Sequence, residues 1–320
     1  MTVKEYIERF FKIKTKSGEL INLKFNSAQE RFYEEFKKDY GHKPPRYIVL
    51  KARQLGLSTF TEALITCLTI TNHYSNALII AHQSEATQNI YDMTKRYIDN
   101  LPSELRPSQK YSNAKKLEFN NQEGTGLDSS IKVMTVGEGA RSSTFRYLHL
   151  SEVAFWDNPE EAMIAILQTV PDDNETLVVI ESTANGFNFF YNEWQRAVEG
   201  VSDFTPLFFP WYLDNEYVKP YDGFKLTKYE KSIKKKYNLS NEQIAWRRWA
   251  INNKCNGDEL KFRQEYPISP EEAFITSGDS VFNTEIVMSR LASLKSPLKT
   301  GYFKYDYDGL HITNIKFVKD

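Results

Sequence analysis

The chain is poor in cysteine: its 320 residues hold two, Cys67 and Cys255. They fall in a helix-like run and a polar loop, match no metal-ligand spacing and imply no disulfide framework. A reducing, cytoplasmic setting fits. Long hydrophobic runs are missing as well. No stretch approaches the roughly 18 apolar residues of a membrane span. The N-terminal MTVKEYIERFFKI is charged and amphipathic, without the apolar centre of a signal peptide, and no membrane partner is predicted. Charge of one sign is also absent, since 41 basic against 42 acidic residues leave a net charge of −1. That excludes a bulk electrostatic signature for nucleic acid, so any DNA contact has to come from a local patch. There is no internal repeat and no low-complexity tract.

What remains is a chain long enough for one large domain or two small ones, with a real core. Aromatics are plentiful, with 19 Tyr, 21 Phe and 5 Trp, most of them expected in packing. Up to residue ~200, short apolar runs alternate with longer helical patterns. Strands are predicted at Tyr47–Leu50, Asn76–Ala81, Ile131–Thr135, Arg146–Leu150 and Thr176–Glu181, with a helix from Ser84 to Leu101. Strands rich in Val, Ile and Leu and separated by helices predict an α/β fold, a mostly parallel sheet with helices on both faces. Ligands of such sheets bind beyond the carboxyl ends of the strands. The chemistry-bearing residues gather at those ends: Lys51–Ser58 after the first strand, Ser151-Glu152 after the fourth, Ser182–Asn185 after the fifth. From ~200 onward the chain is aromatic and proline-punctuated. A lysine-rich helical stretch follows over Leu226–Cys255, then an alternating pattern around Asp308-Gly309 that predicts a β-hairpin.

The stretch Ile48–Phe60, IVLKARQLGLSTF, has the strand, glycine turn and helix that a phosphate-binding loop needs. Against the pattern G-x-x-x-x-G-K-[ST], Gly56 and Ser58 stand at the second glycine and the hydroxyl. Leu57 occupies the lysine position and Lys51 the first glycine. The backbone logic survives, because successive N–H groups at a helix N-terminus can cradle phosphate oxygens. The Ser58 hydroxyl can reach a magnesium ion. The missing cation can come from Lys51 across the loop, or from Arg53. The same stretch also reads as a plain strand, turn and helix.

Five further places carry chemistry. Glu152 after an apolar strand is placed to orient a water against a γ-phosphate; it also reads as an ordinary strand-end carboxylate. Ser182, Thr183 and Asn185 are small polar groups able to sense a γ-phosphate, or simply a turn with local hydrogen bonds. Gln29, in an amphipathic helix opened by Phe25-Asn26, has an amide that can read an adenine edge, or is a solvated glutamine on a helix. Arg141, in a glycine-rich loop, can reach a phosphate in its own subunit or a neighbour's, though spacing alone favours a loop arginine near the surface. Residues 225–248 hold eight Lys/Arg, with Trp246 and Trp249 flanking Arg247 and Arg248. This is either a patch for a phosphate backbone or a solvated face with inward tryptophans.

Taken in order, FNSAQERF, KARQLGLST, ALIIAHQSEAT, GARSSTFRYLHLSEVAFW, ESTANGFNFFYNEW and FRQEYPISPEEAFITSGDSVF resemble the ATPase domain of tailed-bacteriophage large terminases, over residues ~20–285. That family often carries the P-loop lysine at the loop's first position. The resemblance implies a P-loop NTPase of the ASCE, RecA-like kind that couples ATP hydrolysis to translocation of double-stranded DNA into a procapsid. ATP and Mg2+ would be its cofactors. Gln29 would contact adenine. Lys51, Arg53, Gln54, Leu55, Gly56, Leu57, Ser58 and Thr59 would form the nucleotide loop, with Ser58 on the metal. Glu152 would activate water, Ser182, Thr183 and Asn185 would couple, and Arg141 would act as a finger in the neighbouring subunit. The implied partners are double-stranded DNA, further copies in a ring of five by analogy, a portal protein and a small terminase subunit. The implied setting is the cytoplasm of an infected bacterial host rather than the mature virion.

Two departures stand out. Ser151 replaces the aspartate expected before the catalytic glutamate, and Asp306 and Asp308 in a hairpin turn are poor ligands for the nuclease metals that a full large terminase uses. The reading divides the chain into an ATPase core at 1–200, a lid or linker at 201–284, and a hairpin at 285–320 leading toward an absent nuclease domain, without nuclease activity. A superfamily 2 helicase is disfavoured, because a second RecA-like lobe does not fit in 320 residues. A degenerate P-loop domain that binds nucleotide without turnover, as an assembly or DNA-binding module, is the rival, argued from Leu57 and Ser151.

Overall fold

The computed structural model describes the chain apart from residues 16, 113–114, 121–125, 138–142, 275–289, 291–300, 308–311 and 320. Arg141 and the Asp308-Gly309 turn lie outside the described residues.

Residues 1–277 form one compact unit. Helix α1 (Val3–Phe10) leads into a small antiparallel pair, β1 (Lys12–Lys14) and β2 (Leu20–Asn22). Helix α2 (Ser27–Asp39) starts at Asn26, whose side chain caps the Gln29 N–H while the Gln29 side chain returns to the Asn26 N–H. This reciprocal box satisfies two donors that a helix start leaves unpaired. Then follow β3 (Arg46–Lys51), α3 (Leu57–Thr71), β4 (Asn76–Ala81) and α4 (Ser84–Asp99). A short pair comes next, β5 (Tyr111–Ser112) and β6 (Lys116–Phe119), then β7 (Ser129–Thr135) and β8 (Tyr147–Ser151). Helix α5 (Pro159–Leu167), β9 (Leu177–Ser182), α6 (Phe189–Val198) and β10 (Thr205–Phe209) complete the sheet. Four helices close the unit: α7 (Lys228–Tyr237), α8 (Asn241–Lys254), α9 (Glu259–Glu265) and α10 (Pro270–Ala273).

The sheet has eight strands in the order β10-β3-β9-β8-β4-β7-β6-β5. All pairings from β10 to β7 are parallel; β6 and β5 are antiparallel. The period of two sorts its core cleanly. Tyr47 and Val49 of β3, Ala77 and Ile79 of β4, and Leu177 and Val179 of β9 pack under α1 to α4 and α7 to α9. Ile48 and Leu50, Leu78 and Ile80, and Val178 and Ile180 pack against α5 and α6. Helices therefore cover both faces, as the alternation of strand and helix predicts. Helix α3 is buried along nearly its whole length, from Leu57 to Ile70, which suits a helix that is apolar all round.

Every predicted strand is present within one or two residues. Two regions differ. Thr205–Phe209 lies in the aromatic, proline-punctuated stretch, where no strand is predicted, yet β10 pairs in parallel with β3, Pro206 beside Ile48. It is the terminal strand of the sheet, where a residue without an N–H is tolerated. The single helical stretch read over 226–255 is two helices, parted at Asn238, which takes the left-handed conformation at φ 53°. The segment after residue 200 also packs into the same unit as the first 200 residues.

Residues 278–320 form a second unit. Apart from Arg290, its described part is the antiparallel hairpin of β11 (Gly301–Tyr307) and β12 (Ile312–Lys319), with the Phe303 and Phe317 rings 5.3 Å apart across it.

Candidate nucleotide site

Strands β3, β8 and β9 are neighbours in the sheet and end together, so Lys51, Ser151-Glu152 and Ser182–Asn185 meet at one edge. Lys51 is the last residue of β3 and is 7% exposed. Its Nζ lies 3.1 Å from Ser58 Oγ, 3.2 Å from Glu152 Oε1 and 3.3 Å from Glu181 Oε2. Burial works to depress the ammonium, and the two carboxylates outweigh it, so its pKa is raised. Lys51 is charged here at any physiological pH.

The loop between β3 and α3 is built to keep its backbone in one shape. Gly56 is left-handed at φ 72°, and Gln54 also has a positive φ, 58°. The Gln29 amide donates to the Gly56 carbonyl at 2.7 Å, and the Asn26 amide donates to the Leu55 carbonyl at 3.0 Å. Leu55 and Leu57 are buried in the core, each 1% exposed. A lysine at position 57 would have to leave that core to reach a phosphate, whereas Lys51 already stands beside Ser58. No side chain caps the start of α3, and its first N–H groups are available to an anion. Thr59 lies one turn in, its carbonyl accepting from the Tyr97 hydroxyl at 3.0 Å.

Gln29 is 3% exposed and both amide atoms are engaged, Nε2 on Gly56 and Oε1 on the Asn26 N–H at 3.0 Å. It braces the loop. Arg53 turns outward and pairs with Glu265 of α9, while its carbonyl accepts from the Tyr217 hydroxyl at 2.8 Å.

Glu152 sits in the left-handed region at φ 54° immediately after β8. Such a conformation costs a non-glycine residue about 1–3 kcal/mol, and recurs at functional edges. The turn sends the carboxylate back over the sheet end. Its Oε2 accepts from the Thr183 N–H at 3.3 Å and from the Ser182 hydroxyl at 3.4 Å. Ser182 Oγ accepts from the Ala154 N–H at 3.1 Å, and Asn185 donates to the Ala154 carbonyl at 3.1 Å. All three residues read as coupling groups are thus bonded to the segment that carries Glu152.

A cleft of about 400 Å³ opens here, lined by Lys51, Arg53, Gln54, Glu152 and Thr183, with His82 and Phe155. A larger recess of about 780 Å³ beside α5 has no lysine or arginine among its described lining residues, hence nothing to balance a phosphate.

Three buried residues escape the sequence reading. Glu181 accepts from Ser58 Oγ at 2.5 Å and from Ser151 Oγ at 3.3 Å. His149 Nε2 lies 3.1 Å from Glu181 Oε1, and its Nδ1 lies 2.5 Å from Glu62 Oε1 on α3. All three side chains are fully buried. Burial works against the imidazolium, and Glu181 and Glu62 outweigh it, raising His149 to about 9. Glu181 is held well below the usual carboxylate range: burial opposes this, and Lys51 and His149 prevail. A partial signal was available, since His149 and Ser151 fall on one face of the strand YLHLS at period two.

The arginines of the basic stretch pack inward. Arg247 is 5% exposed, ion-paired with Glu259 at 2.5 Å, its guanidinium over the Tyr229 and Phe262 rings. Arg248 makes two 2.6 Å bonds to Glu230. Trp246 is buried, stacked on Tyr217 and Trp211. Lys225, Lys228, Lys231, Lys235 and Lys236 stay exposed.

No protein-family model matches the chain. Solved structures do. The large terminase of bacteriophage HK97 superposes with a TM-score of 0.59 at 15% identity, covering 84% of this chain and 55% of that one. A point mutant of the ATPase domain of the Thermus phage P74-26 large terminase superposes with a TM-score of 0.50 at 16% identity, covering 76% of this chain and 93% of that domain. The chain therefore spans little more than half the length of the HK97 protein. At these identities the likeness is one of fold, and the fold is that of a phage large terminase ATPase domain.

Proposed function

We propose that this chain is the ATPase motor domain of a large terminase, coupling ATP hydrolysis to movement of double-stranded DNA into a viral procapsid. The observation that carries the reading is the convergence of Lys51, Ser58 and Glu152 at one strand edge, within 3.1–3.2 Å of the lysine Nζ. The P-loop pattern with a displaced lysine, and the fold, support it.

Magnesium suits the donor set. The groups here are oxygens, the hard ligands that this ion takes, and Glu181 Oε2 is buried without a well-aligned hydrogen-bond donor. Among the described residues no cluster of three or more His, Cys, Asp or Glu is arranged to hold a metal by itself. An ion here would therefore depend on Ser58 and on phosphate oxygens. When bound, magnesium neutralises charge on the transferring phosphoryl group. Lys51 binds the phosphates and so releases Glu152. Glu152 then orients a water and takes its proton as the water oxygen attacks the terminal phosphorus and ADP leaves. Ser182, Thr183 and Asn185, bonded to the Glu152 segment, pass the change on. Arg141 acts on a neighbouring copy in a ring. Adenine recognition by Gln29 requires its amide to leave the loop. The exposed lysines of α7 offer the DNA backbone a local positive face. A portal protein and a small terminase subunit complete the assembly in the infected cell.

A non-hydrolysing module is the second reading, favoured by the uncharged Ser151 and by the ion pair that ties Glu152 to Lys51. Magnesium-dependent ATP turnover, measured over a series of protein concentrations with and without duplex DNA, separates the two. Turnover that rises faster than linearly with concentration and falls at least about a hundredfold in Glu152→Gln supports the motor. ATP binding without turnover under every condition supports the module.

A further inference from the structure

We propose that Glu181 supplies the acidic group of the magnesium site that Ser151 lacks, and that His149 and Glu62 hold it in place. The proposal rests on the reading that this chain binds nucleotide with magnesium. A loop of this kind pairs the hydroxyl at the start of its helix with an acid at the end of a neighbouring strand. The acid position here holds a serine. Strands β8 and β9 are adjacent and parallel, and Ser151 stands directly beside Glu181 in register. The two side chains therefore end at one level on one face, under α3. Glutamate is one methylene longer than aspartate, which lets it serve this position from the next strand.

The contacts agree. Glu181 touches both groups that a metal ligand at this place must share: Ser58 Oγ at 2.5 Å and Ser151 Oγ at 3.3 Å. Its other oxygen, Oε2, faces the Lys51 ammonium at 3.3 Å and accepts no well-aligned hydrogen bond. A purely structural role explains this poorly. Burying a carboxylate costs several kcal/mol, and an apolar residue would fill the same space more cheaply. Lys51, moreover, already has Glu152 as a partner. An oxygen that faces an ammonium and no aligned neutral donor sits in surroundings that suit positive charge.

The arrangement behind Glu181 is the kind that orients metal ligands. His149 lies between Glu181 at 3.1 Å and Glu62 at 2.5 Å, bridging β9 to the helix that carries Ser58. Its Nε2 backs the carboxylate at ion-pair distance. Magnesium dehydrates reluctantly, so Glu181 holds the ion through its bound water. Glu181 and His149 are positioning residues for the reaction.

The test uses the full chain, a fluorescent ATP analogue and a magnesium titration, with manganese paramagnetic resonance as an independent readout. In Glu181→Gln the magnesium concentration for half-maximal tight binding rises about tenfold or more, and more free manganese signal remains at equal concentrations. Metal-free binding of the analogue is held or tightened, because a negative charge has left the phosphate side. Adding Ser151→Asp to that variant recovers most of the loss, which a merely structural role would not do. Glu181→Asp keeps the charge and folds more readily; it raises the requirement several-fold by shortening the reach. An unchanged magnesium requirement in folded Glu181→Gln or Glu181→Asp overturns the proposal alone. A wild-type chain that binds no nucleotide at any magnesium concentration overturns the functional reading and the proposal with it.

Discussion

Gly56 is held at φ 72°, and a Cβ built on it would meet Gln29 Nε2 at 2.9 Å. The residue is needed twice, for its backbone conformation and for the close approach of the brace. Gly56→Ala is expected to cost about 1–3 kcal/mol. It should weaken nucleotide binding more than Thr59→Ala; urea unfolding and analogue binding check both, and a fully stable, fully binding variant contradicts the account. His149 carries the clearest pH dependence. Its pKa is raised from 6.5 to about 9, burial opposing and Glu181 and Glu62 prevailing, with Tyr97 of α4 also near Glu62. A raised pKa means that its stabilisation is full below pH 6.5 and is lost as pH rises through about 9. The expected loss is about 3 kcal/mol, seen as a falling unfolding midpoint between those limits and flattened in His149→Gln. Lys51, Gly56 and Ser58 were legible from spacing alone. Glu181 and His149 were not, because a polar residue inside a strand shows its face but not what lies across from it.

At the scale of elements, α9 and the loop that carries Tyr217 brace the edge that carries the site. Glu265 pairs with Arg53, Gln264 donates to the Ala184 carbonyl at 3.1 Å, and Tyr217 holds the Arg53 carbonyl. One helix thus touches the loop between β3 and α3 and the turn after β9 together. Its base is an aromatic stack, with Trp246 and Tyr217 centroids 4.2 Å apart and Trp246 and Trp211 5.0 Å apart. Trp246→Ala is expected to cost about 3–5 kcal/mol in denaturant unfolding. Trp249→Ala, at a half-buried position, should cost clearly less. Equal costs would mean that the stack is not what holds this region. The same packing explains why only the lysines of the basic stretch form a basic surface: Arg247 and Arg248 are spent on Glu259 and Glu230.

For the whole molecule, both core clusters lie within residues 1–277. A chain ending at residue 277 is therefore expected to unfold cooperatively, within about 1 kcal/mol of the full chain, and to keep analogue binding. Loss of cooperativity on truncation, followed by circular dichroism and tryptophan fluorescence together, would refute this. Among the described residues no helix is long and apolar enough to cross a membrane.

The sequence by itself determined the class of fold, because strand and helix periods and the glycine turn are local properties that survive without knowing what packs on what. It also placed the candidate site residues at strand ends, since position along a strand is read directly from the chain. Tertiary structure decided which of those ends are neighbours. It set β9 beside β8, and so put Glu181 against Ser58 and Ser151, across separations of 123 and 30 residues. It also admitted Pro206 to a parallel strand, because only the sheet order reveals that β10 is an edge. Strand order and side-chain pairing depend on contacts between distant segments, and no local pattern encodes them.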